Sequence, residues 1–139
     1  MTPNTILISR TVPSDRGELG ELARLLEDNR QLCPLSDDQF YNLVIALTEA
    51  VNNAIVHGNK SNPALTVHYE VECVPGGVLC TVEDEGSGFD PDAVADPISP
   101  ENLLRDGGRG IFIIRTLMRD MTIENTGQGM RIRFLCSSE

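Results

Sequence analysis

The 139-residue chain is acidic, with 21 aspartates and glutamates against 11 lysines and arginines and a net charge of -10 at pH 7. This charge argues against nucleic acid or an anionic membrane surface as a partner, because both attract positive potential. With 40% hydrophobic and 23% charged residues, the composition predicts one folded domain over residues 1–139 rather than a disordered chain.

The N-terminus and the cysteines favour a cytoplasmic protein. The first ten residues contain no basic stretch followed by an apolar one, so no secretory signal is predicted. No apolar run is long enough to cross a bilayer. The four cysteines lack the close spacing of a zinc site and are interpreted as reduced, mostly buried thiols. They are Cys33, Cys73, Cys80 and Cys136.

The first part of the chain predicts a strand followed by two helices. Residues 5–12 are typical of a short strand, and residues 14–32 carry leucines at helical spacing. Ser36, with Gln39 three residues later, is a capping box that begins the second helix. An apolar stripe continues this helix to Gly58, which is the candidate C-cap.

The second part predicts four strands and a third helix. The strands cover residues 64–73, 78–83, 121–125 and 130–136, and the glycine-led helix covers 108–119. Residues 89–107 show no periodicity, and a loop of that length in a small domain is usually functional. The element order predicts a two-layer α+β sandwich, in which two or three helices cover one face of a mixed, mostly antiparallel sheet.

Three polar residues recur at four-residue intervals in the second predicted helix. Glu49, Asn53 and His57 therefore share one helix face. Magnesium takes hard oxygen ligands and often only one or two from the protein, so the Asn53 oxygen can serve. A carboxylate one turn away can orient or deprotonate a nucleophile. The alternative is a solvated helix face, and His57 alone is interpreted as a helix-end residue.

An acid and two glycines follow the strand predicted over residues 78–83. In the sequence Asp84-x-Gly86-x-Gly88, the glycines let the backbone turn sharply and approach a ligand. A buried carboxylate can accept a hydrogen bond from an exocyclic amine such as that of adenine. It rejects a base that presents a carbonyl there, because the two acceptors would face each other unpaired. The alternative is an ordinary acidic turn.

Glycines also open the third predicted helix. Gly108 and Gly110 expose backbone N–H groups at a helix N-terminus, where the helix dipole favours an anion such as phosphate. Arg109 between them can assist. The alternative is a flexible connection. The segment matches neither a Walker A loop nor a dinucleotide-binding fingerprint.

Taken together, the three motifs resemble the N, G1 and G2 boxes of the GHKL ATPase superfamily. The matching segments read EAVNNAIVHG, DEGSGFDP and GGRGIFIIRTLM. Within the superfamily, the chain is most similar to the bacterial anti-sigma-factor serine kinases, from the first strand to residue 135. The resemblance implies a Bergerat-type fold that binds ATP together with Mg²⁺.

The resemblance also implies a role for each motif residue. Glu49 is expected to be the general base, and Asn53 the magnesium ligand. The expected ATP contacts are Asp84 at the adenine amino group, Gly86 and Gly88 in the pocket, residues 89–107 as lid, and Gly108, Arg109 and Gly110 at the phosphates. One departure is Met130, where the family usually has threonine. Without that hydroxyl, ATP affinity or turnover is expected to differ.

The function implied by the resemblance is a serine/threonine protein kinase that phosphorylates a small anti-anti-sigma partner. In a second complex it would hold a sigma factor inactive, and the family likeness suggests a homodimer. One alternative is a nucleotide-gated binding module without efficient transfer, which Met130 keeps open. Another is a histidine-kinase catalytic fragment. It is less favoured, because the chain's two histidines, His57 and His68, lie in the motif helix and in a predicted strand.

Overall fold

The computed structural model describes residues 4–86 and 108–139, which form five strands and three helices. In chain order the elements are β1 (Thr5–Pro13), α1 (Glu18–Asp28), a 3₁₀ turn (Arg30–Leu32), α2 (Asp37–Asn53), a π-helical turn (Ala54–Gly58), β2 (Thr66–Val74), β3 (Gly77–Asp84), α3 (Gly108–Leu117), β4 (Arg119–Asn125) and β5 (Met130–Ser137). Of the three described helices, none has the length and apolarity needed to span a membrane.

The described strands form one sheet with the order β1-β2-β3-β5-β4. All four neighbouring pairs are antiparallel. The predicted α+β class is therefore confirmed, and the sheet is antiparallel throughout its described part rather than mixed. In the sheet, β5 lies between β3 and β4. After β3 and α3, the chain therefore forms the edge strand β4 first, and β5 then pairs with both β3 and β4.

The hydrophobic core lies between the helices and one face of the sheet. Strands β2 and β3 bury alternate side chains there, as a strand with one covered face must. The buried strand residues are Val67, Tyr69, Val71, Val78, Cys80 and Val82. Helix α2 contributes Phe40, Leu43, Leu47 and Val51 to the same cluster. We call this the inner face of the sheet, and the opposite one the outer face.

All four cysteines are free thiols, three of them buried and Cys73 partly buried. Burial raises the pKa of Cys33 and of Cys136 to about 11. Since the thiolate is the reactive form, these thiols are protonated and unreactive at neutral pH. They pack as small hydrophobic residues, in agreement with the sequence interpretation.

The first helix begins later than predicted. Residues 14–32 carry helical spacing, but α1 starts at Glu18. Ser14 is buried instead, and both its backbone N–H and its hydroxyl donate to the carbonyl of Leu65, at 3.2 and 2.7 Å. These bonds hold the chain against the start of β2, which delays the helix.

Helix α2 begins at the predicted capping box. Gln39 N–H donates to Ser36 Oγ at 3.2 Å, and Ser36 N–H donates to Gln39 Oε1 at 2.8 Å. Two of the backbone donors that every helix N-terminus leaves unpaired are thereby satisfied. Because the start is fixed, the helix faces that Glu49 and Asn53 occupy, about three and four turns later, are fixed as well.

The other end of α2 differs from the prediction. The helix widens into the π-helical turn, and the C-cap is Asn59 rather than Gly58. Asn59 N–H donates to Ala54 O at 2.8 Å. The non-glycine residues that follow with positive φ are Lys60 and Ser61. Gly58 is therefore not needed for a left-handed cap, and its missing side chain has a different cause, described below.

Candidate functional site

The polar stripe of α2 faces the first turn of α3. A Cβ added to Gly110 would lie 2.9 Å from Asn53 Nδ2 and 3.0 Å from Glu49 Oε2. Gly110 is buried, whereas Glu49 and Asn53 are partly exposed. The structure thus brings together the predicted base, the predicted metal ligand and one predicted phosphate-binding glycine. A side chain at Gly110 would occupy the space of the other two.

Other predicted site residues lie on α3, in the π-helical turn, or outside the described residues. Gly108 begins α3, and Arg109 is exposed in its first turn, which contains no acidic residue. His57 is exposed in the π-helical turn, as a helix-end residue would be. Gly88 and the predicted lid, residues 89–107, lie outside the described residues.

A second part of the site surrounds Asp84 at the end of β3. Three glycines pack directly around it, and none of them has room for a side chain. A Cβ on Gly58 would overlap Asp84 Oδ2, one on Gly129 would overlap the Asp84 carbonyl, and one on Gly86 would overlap the Gly58 carbonyl. This close packing, not helix termination, requires glycine at position 58.

The Asp84 carboxylate is held by one oxygen. Gly86 N–H and Met130 N–H donate to Oδ1 at 3.0 and 3.1 Å, and no described residue donates to Oδ2. Burial raises the pKa of Asp84 above its ordinary value, and the two backbone donors oppose part of that rise. The geometry therefore fixes the carboxylate while leaving one of its oxygens as an acceptor.

Asn59 supports this arrangement, and sequence analysis missed it. Its side chain is buried, donates from Nδ2 to Ser14 Oγ and Thr66 O, both at 2.8 Å, and accepts from Glu85 N–H at 2.9 Å. It thereby ties the end of α2 to the residue that follows Asp84. The available sequence signal was the position of this asparagine directly after the motif helix. Composition alone does not distinguish such a residue from an ordinary loop asparagine.

A family model described as the histidine kinase-like ATPase domain matches residues 12–135. The chain belongs to this family. The match runs from β1 to β5 and includes both parts of the site.

Individual relatives agree with the family assignment. The chain is 32% identical over 95 residues to Serine-protein kinase RsbW of Staphylococcus epidermidis, a match to 63% of this chain and 60% of that protein. RsbW of Staphylococcus aureus strain Newman is also 32% identical over 95 residues, covering 62% and 58%. The chain thus spans about three fifths of the length of these curated relatives.

Solved structures share the fold. The blue-light activated histidine kinase of Erythrobacter litoralis EL346 superposes with a TM-score of 0.59 at 17% identity, over 91% of this chain and 42% of that chain. A structure of its histidine kinase domain gives 0.54 at 18% identity, over 96% and 64%. The layered architecture expected from sequence is therefore that of histidine-kinase ATPase domains.

Met130 contacts Asp84 through its backbone. Its backbone N–H donates to Asp84 Oδ1, so any residue except proline can supply this hydrogen bond at position 130. A methionine side chain has no hydroxyl to donate or accept. The sequence departure therefore leaves the Asp84 anchor in place.

The α2–α3 contact also suits a magnesium ion. In the part of the chain that is described, no group of three or more histidine, cysteine, aspartate or glutamate side chains could hold a metal. Magnesium does not need such a group, since it often binds through one or two protein oxygens together with phosphate oxygens and water. Asn53 Oδ1, which lies 3.2 Å from the position of a Cβ added to Gly110, is an oxygen of this kind.

Gly110→Ala is expected to abolish ATP binding without unfolding the protein. The added Cβ would displace the ends of the Glu49 and Asn53 side chains, which can move, while alanine gains up to about 1 kcal/mol of helix propensity over glycine. Calorimetry with Mg-ATP and thermal unfolding would test this. Gly20→Ala in α1 is the matched control, because a Cβ there meets nothing within 4 Å. Normal ATP binding by Gly110→Ala would contradict the expected role of this contact.

Proposed function

We propose that the chain is a Mg-ATP-dependent serine/threonine protein kinase in a partner-switching circuit. One observation carries the proposal: Glu49 and Asn53 converge on Gly110 at the start of α3. A general base, a metal ligand and a phosphate-binding helix N-terminus have to meet in this way for phosphoryl transfer. The similarity to the RsbW serine-protein kinases supports the choice of a hydroxyl as acceptor.

In this proposal ATP lies between the two parts of the site. The adenine amino group donates to Asp84 Oδ2, and Gly86 and Gly88 line the base pocket. The phosphates meet the N-terminus of α3 at Gly108, Arg109 and Gly110, where backbone N–H groups and the helix dipole favour negative charge. Residues 89–107 act as the lid over the nucleotide.

The chemical step needs a proton acceptor and charge neutralisation. Bound magnesium, with Asn53 as its protein ligand, would neutralise phosphate charge. The hydroxyl oxygen of the partner's serine or threonine forms a bond to the γ-phosphorus, the bond to the bridging oxygen of ADP breaks, and Glu49 takes the hydroxyl proton. Arg109 adds positive charge at the phosphates. Catalysis here rests mainly on positioning.

The proposed partners are proteins. The kinase phosphorylates a small anti-anti-sigma protein and, in its other complex, sequesters a sigma factor. It acts in the cytoplasm as a homodimer, with residues 1–139 as one ATP-binding domain. The net charge of -10 supports the exclusion of nucleic acid and of anionic membranes as partners.

Met130 favours one competing function, a nucleotide-gated binding module. The missing hydroxyl is expected to slow transfer. ATP still changes the affinity for a partner protein whenever that partner binds the ATP-bound and the ATP-free chain with different affinities. In that case the same site works as a switch without efficient catalysis. The histidine-kinase neighbours leave a third candidate, transfer to a histidine of another chain.

Calorimetry with Mg-ATP, followed by transfer of labelled γ-phosphate to a co-purified small protein, tests the proposal. Saturable ATP binding with acid-stable label on a serine or threonine would establish the kinase. Binding without transfer would favour the gated module, and acid-labile label on histidine would favour the histidine-kinase alternative. If ATP did not bind at all, the proposal would be wrong.

A further inference from the structure

Helix α2 exposes two large apolar side chains next to the candidate site. Tyr41 is 53% exposed and Ile45 is 46% exposed. Neither belongs to the hydrophobic core cluster or packs against it. Because they are four residues apart, they lie on one face of the helix, and Glu49 continues that face one turn later. Adjacent apolar side chains left in water are typical of a contact surface.

Tyr41 is held in place by Arg30. The guanidinium carbon of Arg30 lies 5.0 Å from the centre of the Tyr41 ring, and Arg30 Nη1 donates to the tyrosine hydroxyl at 3.3 Å. Arg30 is itself fixed by ion pairs to Asp37 and Glu27, at 2.6 and 3.4 Å. A ring that is already immobilised loses little conformational entropy when a partner covers it. Because exposed tyrosines of this kind often dominate the binding energy of interfaces, Tyr41 is suited to anchor a partner.

Carboxylates stand at both ends of this apolar pair. Asp38 is exposed and precedes Tyr41 by three residues, so it shares the helix face of Tyr41, Ile45 and Glu49. We call these four residues the α2 stripe; it is about 16 Å long. Neither Asp38 nor Glu49 forms an ion pair with another described residue. Residues 31–59 contain no lysine or arginine, so the stripe is apolar in the middle and negative at both ends.

We propose that the α2 stripe is the docking surface for a basic amphipathic helix of a partner protein. Two apolar side chains of that helix pack on Tyr41 and Ile45. A lysine or arginine on each side of them pairs with Asp38 and with Glu49. A second helix is the natural cover for an exposed helix face, because side chains three and four residues apart form ridges that fit the grooves of the other helix.

The charge of the α2 stripe decides between the possible occupants. An acidic helix would oppose like charges at both ends, and an uncharged one would bury both carboxylates unpaired; each is costly. A second copy of the stripe, running antiparallel, would set Asp38 against Glu49. Nucleic acid and anionic membranes are repelled by the same carboxylates. A basic helix is the occupant that satisfies the apolar centre and both ends.

A helix docked on the α2 stripe covers Glu49, which has a consequence for the proposed kinase. The partner's cation pairs with the carboxylate that would accept the hydroxyl proton, and its helix keeps an acceptor hydroxyl away. The bound partner therefore inhibits phosphoryl transfer. This consequence rests on the proposed function, whereas the docking itself needs only the exposed face of α2 and does not depend on kinase activity.

The test measures the binding of designed peptides to the whole chain by fluorescence anisotropy. The probe is a labelled, alanine-based helical peptide with lysine, leucine, leucine and lysine on one face, spaced to oppose the α2 stripe. A second peptide has glutamate in place of both lysines. The lysine peptide is expected to bind roughly 10-fold more tightly, because two surface ion pairs replace two repulsions. The difference should shrink as the salt concentration rises.

Substitutions in the α2 stripe then locate the contact. Asp38→Lys should weaken the lysine peptide by roughly 5-fold, and a peptide with glutamate opposite position 38 should recover that loss. Such recovery requires direct contact between the two exchanged charges. Asp38→Asn, which avoids a cation in the first turn of the helix, should show a smaller loss. Ile45→Ala should weaken the lysine peptide by roughly 10-fold, because it removes buried methyl and methylene groups from the contact.

Two matched controls change the same properties elsewhere. Asp15→Lys makes the same charge change in the exposed segment before α1, and Ile6→Ala truncates an isoleucine that is 56% exposed on β1. Neither should alter the affinity for the lysine peptide. Thermal unfolding of every variant shows whether the fold is intact.

The outcomes for docking and for the kinase are separable. No binding of the lysine peptide to wild type, equal affinity for the lysine and glutamate peptides, or no recovery with Asp38→Lys would each overturn the docking surface. An equal loss with Ile45→Ala and Ile6→Ala would overturn it as well. Mg-ATP binding and phosphate transfer are measured on the same proteins. Specific peptide binding by a chain that transfers no phosphate would support the docking surface and count against the kinase.

Discussion

Replacing Glu49 by glutamine is expected to slow phosphoryl transfer by about 10²–10⁴-fold, the usual contribution of a general base. Glutamine keeps the size of the side chain and one oxygen, so the packing against Gly110 and Asn53 is preserved. What it loses is the ability to accept the proton of the incoming hydroxyl. ATP affinity is therefore expected to change little while the rate constant for transfer falls.

Single-turnover transfer of labelled phosphate, with ATP binding measured separately, would distinguish the two effects. Glu27→Gln is a suitable control, because Glu27 is an exposed carboxylate of α1 and its removal changes the net charge equally. A Glu49→Gln variant that transfers phosphate at the full rate would show that positioning and charge neutralisation suffice without a base. If it instead lost ATP binding, Glu49 would be a ligand-binding residue.

The α2 half of the site was predictable because its signals are local. The Ser36 and Gln39 capping box fixes where α2 begins, and the helical repeat then puts Glu49 and Asn53 on one face. Glycines that start α3 could be recognised in the same way. The contact between the two helices was expected from the family resemblance, since the spacing of residues gives no distance between separate elements.

The surroundings of Asp84 could not be predicted, because they combine residues far apart in the chain. Gly58 and Gly129 both press against Asp84. In sequence, a glycine that ends a helix and a glycine that makes room for a neighbouring carboxylate look the same, so the pattern predicts Gly58 as a C-cap. Asn59 was missed for a related reason, since its three partners are the residue after β1, the first residue of β2 and the residue after β3.

The outer face shows the same limit for the sheet. Alternation of polar and apolar residues predicts strands and which residues share a face. It does not predict that Leu79 and Leu135 become neighbours, because that depends on β5 entering between β3 and β4. Nor does it reveal the bulge that puts Arg119 opposite Leu135.

Asp84→Asn is expected to weaken ATP binding by roughly 10- to 100-fold, which corresponds to about 1–3 kcal/mol for one unmade buried hydrogen bond. Gly86 N–H and Met130 N–H both donate to Oδ1, so an asparagine oxygen should stay there. Its Nδ2 then replaces Oδ2 and presents a donor to the adenine amino group, which is also a donor. The ratio of GTP to ATP affinity should rise, since guanine has a carbonyl at that position. Calorimetry with both nucleotides measures this, and unchanged ATP affinity would remove Asp84 from adenine recognition.

The same substitution is expected to stabilise the protein without nucleotide at neutral pH. Burial raises the pKa of Asp84 in the folded state, so the folded state binds this proton more tightly than the unfolded state. The free energy of unfolding then falls as pH rises from the ordinary pKa through the raised one. Asparagine has no charge to bury, so the Tm of the Asp84→Asn variant should exceed that of wild type at neutral pH. The difference in Tm should disappear as the pH drops below the ordinary pKa of aspartate.

The control for thermal unfolding across pH is Asp120→Asn, an exposed substitution at a positive-φ position that both residues tolerate. If Asp84→Asn were instead less stable than wild type, the hydrogen bonds to the carboxylate would stabilise the folded state by more than the burial of its charge costs.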